Sequence, residues 1–246
     1  MLHGWGGSLY MFRHALAMLP ERGLRAIAVD LRGHGLSDHP RSRGAYSLDA
    51  YLRDVDALLD ALELPSAMLL GQSMGGAIAL RYAMRRATRV SRLALINPAC
   101  LVPVPWLRTL RSIPRAPISL VGERLVPRWL VGTILRRIAF SDASCVTERD
   151  VDQYWATTQI SGFVSAMQGS IDEFEWKPLS PAEAASVPVP SVVIIGANDR
   201  LLRGSTGPAG TLVHARVHSL PGGHCVHEER PTEVFTIIGD FLANTR

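Results

Sequence analysis

Residues 67–86 set a serine between two glycines, Gly71-Gln72-Ser73-Met74-Gly75, with an apolar run before it and a run of small residues after it. Ala67-Met68-Leu69-Leu70 predicts a strand. Met74 to Arg86, opening with Gly75, Gly76, Ala77 and Ala79, predicts a helix. A chain that passes from strand to helix through one residue needs a tight, strained turn, and flanking glycines remove the side chains that would obstruct it. Such a turn lifts the Ser73 hydroxyl clear of the backbone, and the helix N-terminus favours negative charge beside it. The pattern alone is only moderately informative; strand in and helix out make Ser73 a candidate nucleophile. The plain alternative is a glycine-rich turn with an idle serine.

Around this elbow the outer parts of the chain alternate short β-branched runs with helical periods. Arg25–Asp30 reads as a buried strand, and Arg92–Ile96, Ser191–Ile195 and Arg216–Leu220 as further strands. Ser47 opens a helix in which Leu48, Tyr51, Leu52, Val55, Leu58, Leu59 and Leu62 recur at three and four, with Asp49 in the first turn. A closing helix runs from Pro231 to about Asn244, proline being well tolerated at a first turn. The expected class is α/β, with a doubly wound, mostly parallel sheet.

Residues 101–185 interrupt this alternation. They open with Pro103, Pro105, Pro114 and Pro117 and then turn helical, carrying Trp106, Trp129, Trp155 and Trp176. The first half holds seven arginines against Glu123, and the second is acidic, opposed only by Arg149 and Lys177. One reading is an insert whose halves attract each other; the other is a basic lip, with Arg136 and Arg137, for an anionic substrate or membrane surface.

Composition narrows the function classes. Hydrophobic residues are 47% and charged residues 20%, which excludes a disordered, collagen-like or coiled-coil chain. A net charge of +4 is a weak basis for nucleic-acid binding. Three unpaired-looking cysteines (Cys100, Cys145, Cys225) suit a reducing compartment. No apolar run reaches the roughly 18 residues of a membrane span, and the first residues lack a leader pattern, so a cytoplasmic location is expected.

A serine nucleophile needs a base, and the base an orienting acid. Among eight histidines, His224 sits in Pro221-Gly222-Gly223-His224, just after a strand, and is the expected base. His214 and His218 fall within or before that strand, and His227 begins a charged turn expected to be exposed. The His-Cys-Val-His run offers too few ligands for a metal site. Asp199, directly after Ser191–Ile195, is the expected acid; its bland reading is a turn-forming Asn-Asp pair.

His3-Gly4-Trp5-Gly6-Gly7-Ser8, Asp30 to Ser37, Gly71 to Gly76, Gly196 to Asp199 and Gly223-His224 together resemble the α/β-hydrolase superfamily. The resemblance covers the outer parts, 1–100 and 186–246, and makes 101–185 a helical cap. It implies that the backbone N–H groups of Trp5 and Met74 form an oxyanion hole, and that the Asp30–Ser37 loop, with Arg32 and His34, is structural. Serine at the elbow argues against the dehalogenase and epoxide-hydrolase branches, which use a carboxylate there. Cys225 in place of tryptophan after the histidine lowers the carbon–carbon bond hydrolases. The family sheet normally has strands before the His-Gly motif, whereas only Met1 and Leu2 precede His3. Missing N-terminal strands, and a natural protein that is longer, are therefore expected.

The expected function is a cofactor-free, metal-free serine hydrolase of the esterase/lipase-like branch. It cleaves a carboxylic ester-type bond of a small-molecule substrate through Ser73, His224 and Asp199, with Trp5 and Met74 at the oxyanion. Leu101, Trp106, Leu107, Leu110, Leu125, Trp129 and Leu130 predict an apolar pocket. The alternatives are a carbon–carbon bond hydrolase or lactonase of the same fold, or a slow ligand receptor or scaffold. The sequence does not indicate an oligomeric state.

Overall fold

Four parallel strands, β1 Ala67–Gln72, β2 Val90–Ile96, β3 Ser191–Gly196 and β4 Ala215–Leu220, pair in the order β1-β2-β3-β4. They belong to a computed structural model that describes residues 1–104, 106–112, 126–202 and 209–243. Pro105, Pro114, Pro117, Glu123, Leu125 and Asn244, singled out above, lie outside the described residues. Gln72 stands opposite Ile96, Ile96 opposite Ile194, and Gly196 opposite Leu220. This register brings the carboxyl ends of all four strands to one edge.

Strands covered on both faces must be apolar on both, and β3 is buried from end to end. Leu69, Leu93, Leu95, Val193 and Ile195 face one layer, packing with Tyr51, Leu52 and Val55 of α2 (Leu48–Ala61) and Leu80 and Tyr82 of α3 (Met74–Arg85). Leu70, Ala94, Ile96, Val192 and Ile194 face the other. There they meet Phe12, Ala15 of α1 (Arg13–Met18), and Val234, Phe235 and Ile238 of the last helix, Pro231–Ala243. The alternation of adjacent strand residues between two apolar layers is the doubly wound arrangement in physical form. In α2 the Ser47 hydroxyl accepts from the Ala50 amide at 3.3 Å, satisfying one first-turn donor.

Between β2 and β3 lie α4 (Trp106–Ser112), α5 (Arg128–Ile134), one π-helical turn (Leu135–Ala139), α6 (Glu148–Thr158), α7 (Phe163–Glu173) and α8 (Pro181–Ala185). A capping box, Thr147 with Asp150, starts α6. Arg128 pairs with Glu148 and Asp152 at 2.7 and 2.6 Å, and Arg136 with Glu148 at 2.6 Å. The basic and acidic halves of the insert therefore meet directly, although exposed pairs of this kind contribute at most about 1 kcal/mol each. After β4 come α9 (Val226–Glu229) and α10 (Pro231–Ala243). Among the described residues no helix is long and apolar enough to cross a membrane.

Two expectations need correction. Arg25–Asp30 is not a buried strand: it is half-exposed and takes part in a single parallel bridge, Val29 with Leu2. Its neighbour is the short segment Met1–His3, which is also bonded to β1 through Leu2 N to Leu70 O (2.8 Å) and Gln72 N to Leu2 O (2.9 Å). A strand needs a partner along its length, and beside Met1 there is instead a cleft of about 350 Å³ lined by Gly23–Ile27 and Ser66–Leu70. His227, expected to be exposed, is fully buried against Phe12 and Phe235. The turn it begins is a helical one packed under α10, which puts the imidazole on the apolar side.

Phe235 is fully buried in the layer beneath β2 and β3. Phe235→Ala should cost about 3–5 kcal/mol of stability, read from the urea midpoint of the variant beside the wild type.

Candidate functional site

The elbow is as tight as the sequence requires. Ser73 holds φ 50°, ψ −114°, a conformation that costs a non-glycine residue about 1–3 kcal/mol and persists only where its surroundings impose it. Here they do: the Ser73 amide donates to Ile96 O at 3.0 Å, and its carbonyl accepts from Ala77 N and Ala99 N, each at 3.0 Å. The glycines are needed for space. A Cβ on Gly71 would lie 2.4 Å from Gly75 O, and one on Gly75 only 2.0 Å from Leu2 O.

Asp199 follows β3 in a turn closed by its own amide on Gly196 O at 3.0 Å. Its Oδ2 faces His224 Nδ1 at 2.8 Å, while Oδ1 accepts from Leu201 N at 2.7 Å and Leu202 N at 3.0 Å. Burial works to raise this carboxyl's pKa. The charge and hydrogen bond of His224, with the two amides, outweigh it and hold Asp199 below the usual carboxylate range. An ionised carboxylate only accepts, so Nδ1 of His224 carries the proton of this hydrogen bond, and in the neutral ring the lone pair is on Nε2. The structure thus brings Asp199 and His224 together. It does not join Ser73 to His224: the Ser73 hydroxyl makes no hydrogen bond among the described residues. In the absence of substrate such links are often long and tighten on binding.

The Trp5 loop lies against the elbow, since a Cβ on Gly4 would fall 3.1 Å from Ser73 Cβ and 2.2 Å from Gln72 Oε1. His3 fixes the loop from behind. Its Nε2 accepts from Leu31 N at 2.9 Å and its Nδ1 donates to Gly4 O at 2.8 Å, a pairing open only to the neutral ring. Neither the Trp5 amide nor that of Met74, first in α3, donates a hydrogen bond among the described residues, so both are free to meet a negative oxygen. The Trp5 indole donates to Ser170 Oγ of α7 at 2.8 Å and its ring lies 5.5 Å from Trp106, so these contacts of the side chain leave the amide untouched. Arg32 pairs with Asp54, and His34 is buried edge-on to His3, which keeps both away from the site.

Sequence reasoning missed two residues. Asn97, at φ 41° directly after β2, donates to Gly223 O (3.2 Å) and His224 O (3.0 Å) and accepts from Gly196 N (2.9 Å). It ties the loop of the base to the loop of the acid. Gln72 also donates to His224 O at 3.2 Å. The available signal was position alone: both stand at the carboxyl ends of strands, where polar residues are otherwise costly to bury. Among the described residues no group of three or more His, Cys, Asp or Glu side chains is placed to hold a metal ion.

Known proteins share this fold. The sequence profile described as the alpha/beta hydrolase fold matches residues 1–117. A 2-hydroxymuconate semialdehyde hydrolase from Pseudomonas sp. strain CF600 is 30% identical over 253 residues, covering 99% of this chain and 86% of that protein. An epoxide hydrolase 3 from Siraitia grosvenorii is 27% identical over 285 residues, covering 98% of this chain and 90% of that protein. A meta-cleavage product hydrolase from Pseudomonas fluorescens IP01 superposes with a TM-score of 0.83 at 22% identity, over 100% of this chain and 90% of that one, a likeness of fold.

Three buried imidazoles make the fold sensitive to acid. Burial lowers His3 to about 4 and His34 and His227 to about 3, from an ordinary 6.5. Between those values the unfolded chain binds more protons than the folded one. The stability they contribute is therefore complete above pH 6.5 and falls as pH drops toward 4, by up to about 1.4 kcal/mol per pH unit for each ring. The two ring nitrogens of His227 have no hydrogen-bond partner among the described residues, and His227→Phe should flatten that slope by one proton. Urea titrations at pH 7, 6, 5 and 4 measure both slopes.

Proposed function

The chain belongs to the α/β-hydrolase superfamily, and on that footing we propose that it is a serine hydrolase cleaving a carboxylic ester-type bond of a small, apolar substrate. The observation that carries this reading is the buried Asp199–His224 pair, held at 2.8 Å at the same sheet edge as the strained Ser73. With Nδ1 fixed by Asp199, His224 Nε2 takes the proton from the Ser73 hydroxyl as Oγ bonds to the substrate carbonyl carbon. The oxygen that becomes an alkoxide is met by the amides of Trp5 and Met74, each such donor being worth roughly 3 kcal/mol in the transition state. Collapse breaks the ester bond, and His224 returns the proton to the leaving alcohol. Water then repeats the sequence on the acyl-enzyme, releasing the acid and restoring Ser73.

Residues 101–185 act in this reading as the cap. Trp106 of α4 packs between Trp5 and Trp176 at 5.5 and 6.0 Å between ring centroids, an apolar aromatic wall adjoining the oxyanion loop. Such a wall favours apolar acyl groups. No resident metal or cofactor is required by any step.

A second reading is supported by the 30% identical semialdehyde hydrolase: hydrolysis of a carbon–carbon bond in a vinylogous diketone by the same residues. Ser73 at the elbow, rather than a carboxylate, speaks against epoxide opening.

Hydrolysis of p-nitrophenyl esters should rise from acetyl to hexanoyl and fall by at least about 10⁴-fold in Ser73→Ala and in His224→Ala. A vinylogous 1,5-diketone assayed beside them decides between the readings. Faster turnover of the diketone supports the second, and ester turnover that survives Ser73→Ala defeats both.

A further inference from the structure

Four and five residues beyond the expected base stand two acidic residues, Glu228 and Glu229, and the proposed hydrolysis uses neither. Glu229 closes α9 and is half-buried. Its Oε1 accepts from the amide of Gly223, the residue before His224, at 2.6 Å. Its Oε2 accepts from Ser141 N at 3.1 Å, Ser141 Oγ at 2.6 Å and Asp142 N at 3.0 Å. One carboxylate thus joins the loop of the histidine to the cap segment that follows the π-helical turn. The same two segments touch again beside it. Cys225 N donates to Ala139 O at 3.1 Å, and a Cβ on Gly223 would lie 2.6 Å from Ser141 N. Gly223 therefore carries no side chain where the cap backbone presses on the histidine loop.

The neighbouring Glu228 strengthens the junction. It is buried, accepts from Tyr154 of α6 at 2.5 Å and pairs with Arg13, which in turn meets Asp150 of α6 at 2.9 Å. Cys225 packs in one apolar cluster with Val131, Leu135, Phe140 and Val151 of the cap. The histidine loop is accordingly seated on the cap on one side and, through Asn97 and Gln72, on the sheet on the other.

We propose that Glu229 is a positioning residue for His224: by bonding Gly223 to Ser141 and Asp142, it makes the cap, and not the sheet alone, set where the imidazole stands relative to Ser73. This rests on the reading of His224 as the base. Misplacing a reacting group by about 1 Å can cost a hundredfold in rate without changing what the pocket binds. The effect therefore belongs in kcat rather than in KM.

The test compares Glu229→Ala, Glu229→Gln and Ser141→Ala with the wild type on p-nitrophenyl butyrate. Arg128→Gln, a surface pair within the cap, serves as control. Rates are normalised to folded protein, and ¹H–¹⁵N spectra of the histidine side chains are recorded on each variant. Glu229→Ala should lower kcat about 10- to 100-fold with KM changed less than about threefold. Glu229→Gln keeps one acceptor oxygen and should retain part of that loss, Ser141→Ala should fall several-fold, and Arg128→Gln should match the wild type. The His224 Nδ1–H signal should shift or broaden in the same order. Unchanged kcat, or a rise confined to KM, would overturn the proposal. If Glu229→Ala does not fold, Ser141→Ala and Glu229→Gln carry the test on the same terms. If the wild type shows no Ser73-dependent turnover, the hydrolase reading falls on its own. The spectra then decide the positioning claim: a moved His224 signal upholds it, and an unmoved one overturns it.

Discussion

At Ser73 the backbone must leave the last paired residue of β1 and enter α3 within a single residue, at φ 50° and ψ −114°. That conformation is unfavourable in isolation and is held by three backbone hydrogen bonds, one to β2 and two that the Ser73 carbonyl accepts. It also demands glycine at 71 and 75, where a methyl group would strike backbone atoms at 2.4 and 2.0 Å. Close packing of elbow, first segment and β2 therefore comes before any chemistry. If the turn relaxes, the hydroxyl sinks back toward the helix and the Trp5 loop loses the surface it rests on.

The parallel register delivers the other groups to the same edge. β2 leads to Asn97, β3 to Asp199 and β4 to His224, so three loops converge beyond the carboxyl ends of their strands. Polar groups buried there are expensive unless paired. Asn97 pays that cost by serving both loops, and Asp199 divides its two oxygens between the imidazole and two amides. The proposed hydrolysis uses what this arrangement leaves over: the lone pair on His224 Nε2 and the unspent amides of Trp5 and Met74.

Much of this was legible in the sequence because it depends on local pattern. The strands read at Ala67–Leu70, Arg92–Ile96, Ser191–Ile195 and Arg216–Leu220, each within two residues of its start in the structure, and the helix capped by Ser47 are written in neighbouring residues. What was not legible depends on partners far along the chain. Arg25–Asp30 has the composition of a strand but shares only one bridge with Met1–His3. His227 looks exposed among Glu228, Glu229 and Arg230, yet α10 and Phe12 enclose it. Asn97, Gln72 and Glu229 act through carbonyls and amides of other loops, and no spacing rule on a single strand reveals such contacts.

In the proposed hydrolysis Ser73 is activated by His224 under the control of Asp199. Its most direct test is covalent labelling by a fluorophosphonate probe, with the modified residue located by peptide mass spectrometry, in the wild type and in Asp199→Asn. A single label on the peptide carrying Ser73 is expected, formed at least tenfold more slowly in Asp199→Asn, where the tautomer of His224 is no longer fixed. A folded wild type that takes no label, or one labelled at Ser73 equally fast without Asp199, would contradict it.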